Sequence, residues 1–195
     1  MSRKVSALVL VTLVCALCCA IALWAQEKPA PTGGTVTGIL AGKGDAWIAV
    51  KAEGDKEAIR YYAFWRGETP EQGGGPDRQT IEVISKLVVA NLVKVVWLMQ
   101  EARRRIISVE MIIPKEKSGT VVGRVVAKGE NWVDAKSEGG PTERYLPRWV
   151  GKAPNQGGSF DKDILRAIAG LTIGQKVKVQ WSYEECKRAT KIERL

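Results

Sequence analysis

The chain says nearly the same thing twice, and that limits its fold more than any other feature. "GTVTGILAGKGDAWIAVKAEG" (34–54) matches "GTVVGRVVAKGENWVDAKSEG" (119–139). "RYYAFWRGETPEQGGGPD" (60–77) matches "RYLPRWVGKAPNQGGSFD" (144–161), and "KVVWLMQEARR" (94–104) matches "KVQWSYEECKR" (178–188). The matches keep one order and nearly one offset, 85 residues falling to 84. A duplicated unit of roughly 80 residues is domain-sized, well above the period of a solenoid repeat. The units are read as 34–113 and 119–195, joined by a short charged linker at 114–118.

Within each unit the pattern reads strand, strand, strand, helix, strand, strand. In "DAWIAVK" (45–51), Ile48 and Val50 alternate with Trp47, Ala49 and Lys51. Alternate side chains of a strand point to opposite faces, so Trp47 shares the polar face with Lys51. "NWVDAK" (131–136) places Trp132 with Asp134 and Lys136 in the same way. The helices are expected to start at Asp77 and Asp161, whose carboxylates suit N-caps. Ile81, Ile84 and Leu87, and then Ile164, Leu165, Ile168 and Leu171, follow at helical spacing. Trp97 and Trp181 share a face with the valines of strand four and are assigned to the core.

The first 25 residues stand apart. Arg3 and Lys4 precede an uncharged run from Val5 to Ala25, which reads as a signal peptide or, if uncleaved, an N-terminal anchor. A Pro/Gly linker (26–33) follows. The expected location is periplasmic or extracellular, with a membrane partner only through an uncleaved anchor. Cys15, Cys18 and Cys19 fall in this leader, leaving Cys186 without an intramolecular disulfide partner. The ungapped match aligns Cys186 with Ala102 and reads it as incidental. With Arg3 and Lys4 set aside, 28 basic residues face 21 acidic ones, a net +7. Such a surface favours polyanions, and interspersed acids argue against a nucleic-acid tail.

Three strands, a helix and two strands is the element order of the OB-fold, a five-stranded Greek-key barrel. The run Leu171, Gly174, Val177, Val179 also resembles the helix-to-strand-four junction of OB domains. The fold class is therefore mainly β, as two tandem OB-like barrels with one helix each. SH3-like small barrels are the alternative, without a full helix at that place. The paired pattern resembles exported bacterial proteins built from two such units, a likeness that implies no activity.

The sequence favours binding over catalysis. It contains no histidine, the usual neutral-pH proton shuttle and metal ligand. No Gly-x-Ser-x-Gly elbow or P-loop occurs, and the one Cys-x-x-Cys, Cys15 to Cys18, falls within the expected leader, so no enzyme, cofactor or metal is expected. "EQGGGPD" (71–77) superficially suggests an anion cradle, but an N-cap explains Asp77 better. The OB resemblance directs attention to strands two and three and the flanking loops. The expected ligand-binding residues are Trp47, Lys51, Arg60 and Tyr61, with Trp132, Lys136, Arg144 and Tyr145 as counterparts. The four–five turns add Glu101, Arg103 and Arg104, matched with Glu185, Lys187 and Arg188. Aromatic rings beside cations suit stacking on sugars or bases while the cations hold anionic groups. The same residues also suit a purely structural use: the tryptophans as packing between units, Trp65 and Trp149 under the glycine-rich loop, and Arg60 and Arg144 paired with Glu53 and Glu138. The expected partners are a polyanion, a glycan or an envelope protein. A scaffold is the alternative function. Single-stranded nucleic acid comes third, because export argues against it.

Overall fold

The structure is a computed structural model, and it describes residues 32–195. The expected leader and most of the expected linker lie outside the described residues. In the N-terminal half, β1 (Gly33–Lys43), β2 (Trp47–Ala52) and β3 (Ile59–Ala63) come first. A short hairpin of β4 (Trp65–Arg66) and β5 (Gly75–Pro76) then leads into α1 (Arg78–Lys86), β6 (Leu92–Gln100) and β7 (Arg103–Ile112). β1 pairs antiparallel with β2 and β6, β2 with β3, and β6 with β7. A short parallel pairing of β3 with β7 closes the ladder into a five-stranded barrel, compatible with an OB-like fold.

The C-terminal half repeats the element order as β8 (Ser118–Lys128), β9 (Val133–Ser137), β10 (Thr142–Pro147), β11 (Trp149–Val150), β12 (Ser159–Phe160), α2 (Lys162–Ala169), β13 (Tyr183 at its end, Lys176–Tyr183) and β14 (Lys187–Arg194). Its five-stranded sheet carries the same pairings, including the parallel one between β10 and β14.

Two devices bend the long first strand of each half. Ala41 and Val126 are extra residues, bulged between Leu40 and Gly42 and between Val125 and Ala127. A bulge kinks a strand and raises its twist, which allows one strand to pair on both sides of a tightly curved sheet. At Gly38 the neighbouring strand comes so close that a β-carbon would lie 2.8 Å from the Lys51 carbonyl carbon. Only glycine fits there.

The inward faces fill the core as the alternation requires. Ile48, Val50, Val93, Val95 and Ile106 are buried in the first half, and Val125, Val133, Val177 and Val179 in the second. Each such side chain contributes about 1.5–3 kcal/mol of apolar burial. Trp97 and Trp181 belong to the same clusters, as the sequence indicates.

The helices begin where expected. Asp77 accepts from the Thr80 backbone N–H at 3.0 Å, and Asp161 from those of Asp163 and Ile164. Arg66 and Arg148 each donate an Nε–H to the same carboxylates. At the other helix end, Lys43 donates to the carbonyls of Ile84 and Ser85, and Lys128 to those of Ile168 and Ala169. These lysines satisfy orphan C-terminal carbonyls and complement the helix dipole. The repeated "KG" dipeptide is thus a fold device.

Polar contacts join the halves. The buried Asn91 donates to the Glu185 carbonyl at 2.7 Å and accepts from the Tyr183 hydroxyl at 3.1 Å. Lys136 pairs with Glu53 across the same boundary. Beside the Lys136–Glu53 pair lies a groove of about 600 Å³, lined by Gly38, Lys51, Glu53, Asp134, Lys136 and Thr142 among others.

Candidate aromatic and cationic faces

The register of β2 against β3 decides which side chains share the outward face. Trp47 lies opposite Tyr62, and Ala49 opposite Arg60. Trp47, Arg60 and Tyr62 therefore face outward, while Tyr61 points into the barrel. Tyr61 is buried and meets Trp97 edge-on, with ring centroids 5.9 Å apart. Its counterpart Tyr145 is wholly buried, its hydroxyl donating to Glu143 at 2.8 Å. Burial first, and then the Glu143 charge, push the Tyr145 hydroxyl pKa up. The expectation that these two tyrosines offer rings to a ligand is corrected: both are core residues. The sequence holds two adjacent tyrosines in the first half, and the outward one is Tyr62.

Trp47 does face outward with Lys51, yet its ring is not a bare platform. The Arg60 guanidinium carbon lies 4.5 Å above the ring centroid. On the pyrrole side sits Gly44, where a β-carbon would fall 2.6 Å from Cε2. Trp132 is held in the same way, with Arg144 only 3.7 Å from its centroid and Gly129 against its pyrrole atoms. Both tryptophans thus act as beds for an arginine. Such cation–π stacking contributes about 0.5–1 kcal/mol when exposed and about 2 kcal/mol when desolvated.

The two halves differ at the position beside the arginine. In the second half Asp134 is the direct cross-strand partner of Arg144. Arg144 donates Nε–H and Nη2–H to the two carboxylate oxygens at 2.7 and 2.8 Å. Asp134 is 1% exposed and Arg144 8%, so this bidentate pair is sealed. In the first half Ala49 stands where Asp134 would be. Arg60 is exposed, and among the described residues it has no carboxylate within ion-pair distance. Neither arginine pairs with Glu53 or Glu138: Glu53 is taken by Lys136. Lys51 is half-buried and lines the groove between the halves.

The first half extends its outward face onto β7. Arg103 lies 5.2 Å from the Tyr62 ring centroid and Arg105 5.9 Å from that of Trp65. Arg60 and Arg103 are exposed, whereas Arg105 is buried and donates to the Ala63 carbonyl at 3.3 Å. Trp65 and Trp149 are pinned under the glycine-rich loop by indole N–H bonds to the carbonyls of Glu68 and Lys152.

The ungapped match misaligns this edge by one residue. The β6–β7 turn is the pair Glu101–Ala102, whereas the β13–β14 turn holds three residues, Glu184 to Cys186. The true counterparts are Arg104 with Lys187, each over a core tryptophan, and Arg105 with Arg188. Arg103 therefore corresponds to Cys186, which is buried, and burial raises its thiol pKa. Tyr62 corresponds to Leu146. The second half keeps neither the exposed cation nor the aromatic ring at these places. The comparisons with family models, curated proteins and solved structures yield no match for this chain.

Proposed function

We propose that the chain is a non-catalytic, exported binding protein of two tandem OB-like barrels, and that the outward β2–β3–β7 face of the first barrel holds an anionic glycan. The carrying observation is the exposed Arg60, seated on Trp47 without a carboxylate partner and followed along the face by Tyr62 and Arg103. OB-like folds generally meet ligands on this side of the barrel. The duplicated sequence and the recurring strand pairings support the tandem reading. The uncharged run from Val5 to Ala25 supports export.

Rival ligands find less support. Single-stranded nucleic acid is held chiefly by bases stacking on open aromatic faces, and the strand-two tryptophans are already covered by arginines. A peptide adding as a strand needs an unpaired edge, and the closed ladder of the first barrel offers none. An anionic polysaccharide needs only spaced cations and a half-exposed ring.

The test is titration of the folded chain with polygalacturonate and with a neutral dextran at several salt concentrations. Binding to polygalacturonate alone is expected, with affinity falling steeply as salt rises. Equal binding of dextran, salt-independent binding or no binding would overturn it.

A further inference from the structure

The second half displays the kind of group that the first half lacks. Trp132, Arg144 and Asp134 form a finished unit: an arginine laid on an indole, its Nε–Nη2 edge filled by a carboxylate. Trp47 and Arg60 form the same unit with the carboxylate missing, because Ala49 occupies the cross-strand position of Asp134. The stack is looser there, 4.5 Å against 3.7 Å, as expected of a guanidinium with nothing fixing its edge.

We infer that the Nε–Nη2 edge of Arg60 is a carboxylate-binding site, and that a uronate carboxylate from a glycan occupies the place that Asp134 fills internally in the other half. This rests on the glycan-binding reading above and names the group recognised. A carboxylate matches the planar fork of a guanidinium and accepts both N–H bonds side by side. Ala49, with a single methyl, supplies no carboxylate at the register position where the sister half holds one. Only the first half binds. In the second, Asp134 is part of the protein and Arg144 is buried beneath the boundary with its neighbour.

The decisive variant is Ala49→Asp, which copies the second half into the first. Its neutral control is Ala49→Asn, and Arg60→Lys removes the fork while keeping the charge. The readout is the Arg60 side-chain Nε–H resonance, with oligogalacturonate, polyglutamate and polyphosphate as probes. In the wild type, oligogalacturonate should shift that resonance and slow its solvent exchange. In Ala49→Asp it should already be shifted and slowed without any probe, approaching the behaviour of Arg144. Oligogalacturonate affinity should then fall at least tenfold, while Ala49→Asn changes it less than threefold. Arg60→Lys should also weaken it about tenfold.

An Arg60 resonance in folded Ala49→Asp that still exchanges freely would overturn the inference, even if polygalacturonate binds. So would an Arg60 signal that ignores oligogalacturonate while the chain binds it. A stronger response to polyphosphate would overturn the carboxylate assignment, and a stronger one to polyglutamate would replace the glycan by an acidic peptide. If no probe binds, the glycan reading fails, and with it the external ligand. The closure of Arg60 by Ala49→Asp is still scored separately.

Discussion

Asp134→Ala should be among the most damaging single changes in the C-terminal half. The substitution removes both acceptors of the Arg144 fork, at 2.7 and 2.8 Å, from an arginine only 8% exposed. What remains is a buried guanidinium with no counter-charge. Breaking one partner of such a pair costs about 3–5 kcal/mol, mostly desolvation left uncompensated. For a protein of this size that lowers the melting temperature by about 6–20 °C. Replacing both partners, as in Asp134→Ala/Arg144→Met, should recover most of the loss, since an apolar pair has no charge to strand. Urea unfolding at neutral pH reads the difference, with an unchanged m-value as the sign that the same structure unfolds. In the first half, Arg60→Ala should cost no more than about 1 kcal/mol, the worth of an exposed stack. A loss under about 1 kcal/mol in Asp134→Ala, the range of a surface pair, would show that the pair is not buried in effect, and so would a double variant less stable than the single.

Two further outcomes are expected. Asp77 is held below the usual carboxylate range first by Arg66 and then by Thr80, and Asp161 first by Arg148. Because the folded values are depressed, these caps stabilise the fold above the ordinary carboxylate range. They lose that contribution as pH falls through the folded values. Urea midpoints of Asp77→Asn/Asp161→Asn should therefore drop less on acidification than those of the wild type. Ala102→Gly should raise stability by about 0.5–1 kcal/mol, because Ala102 is exposed and holds φ at 58°, a left-handed conformation that glycine adopts freely. Thermal melting checks it.

Much of the architecture is readable in the residues. The duplication, the element order, the inward Ile48 and Val50, the outward Trp47 and the capping role of Asp77 and Asp161 all follow from periodicity and local chemistry. Other features depend on contacts that a single strand does not encode. In "RYYAF" (60–64) either tyrosine could face the core, and only the pairing of Trp47 with Tyr62 chooses Tyr61. Asp134 stands out in the sequence as a charge beside Trp132, but its meaning comes from the strand opposite, where Arg144 waits. The pairing of Lys136 with Glu53 joins residues 83 positions apart across the two halves, and no local pattern announces it. The one-residue difference in the last turn was hidden because an ungapped match gives Arg104 and Arg188 the same letter. The strand register aligns Arg188 with Arg105 instead.

The proposed division of labour is a free cationic face on the first half and a closed one on the second. Its most direct test is the affinity of Arg60→Gln/Arg103→Gln for polygalacturonate, beside the wild type, at one low salt concentration. Both arginines are exposed, so the fold should survive with its melting temperature nearly unchanged. Affinity should fall at least tenfold in this variant. An affinity equal to that of the wild type would contradict it.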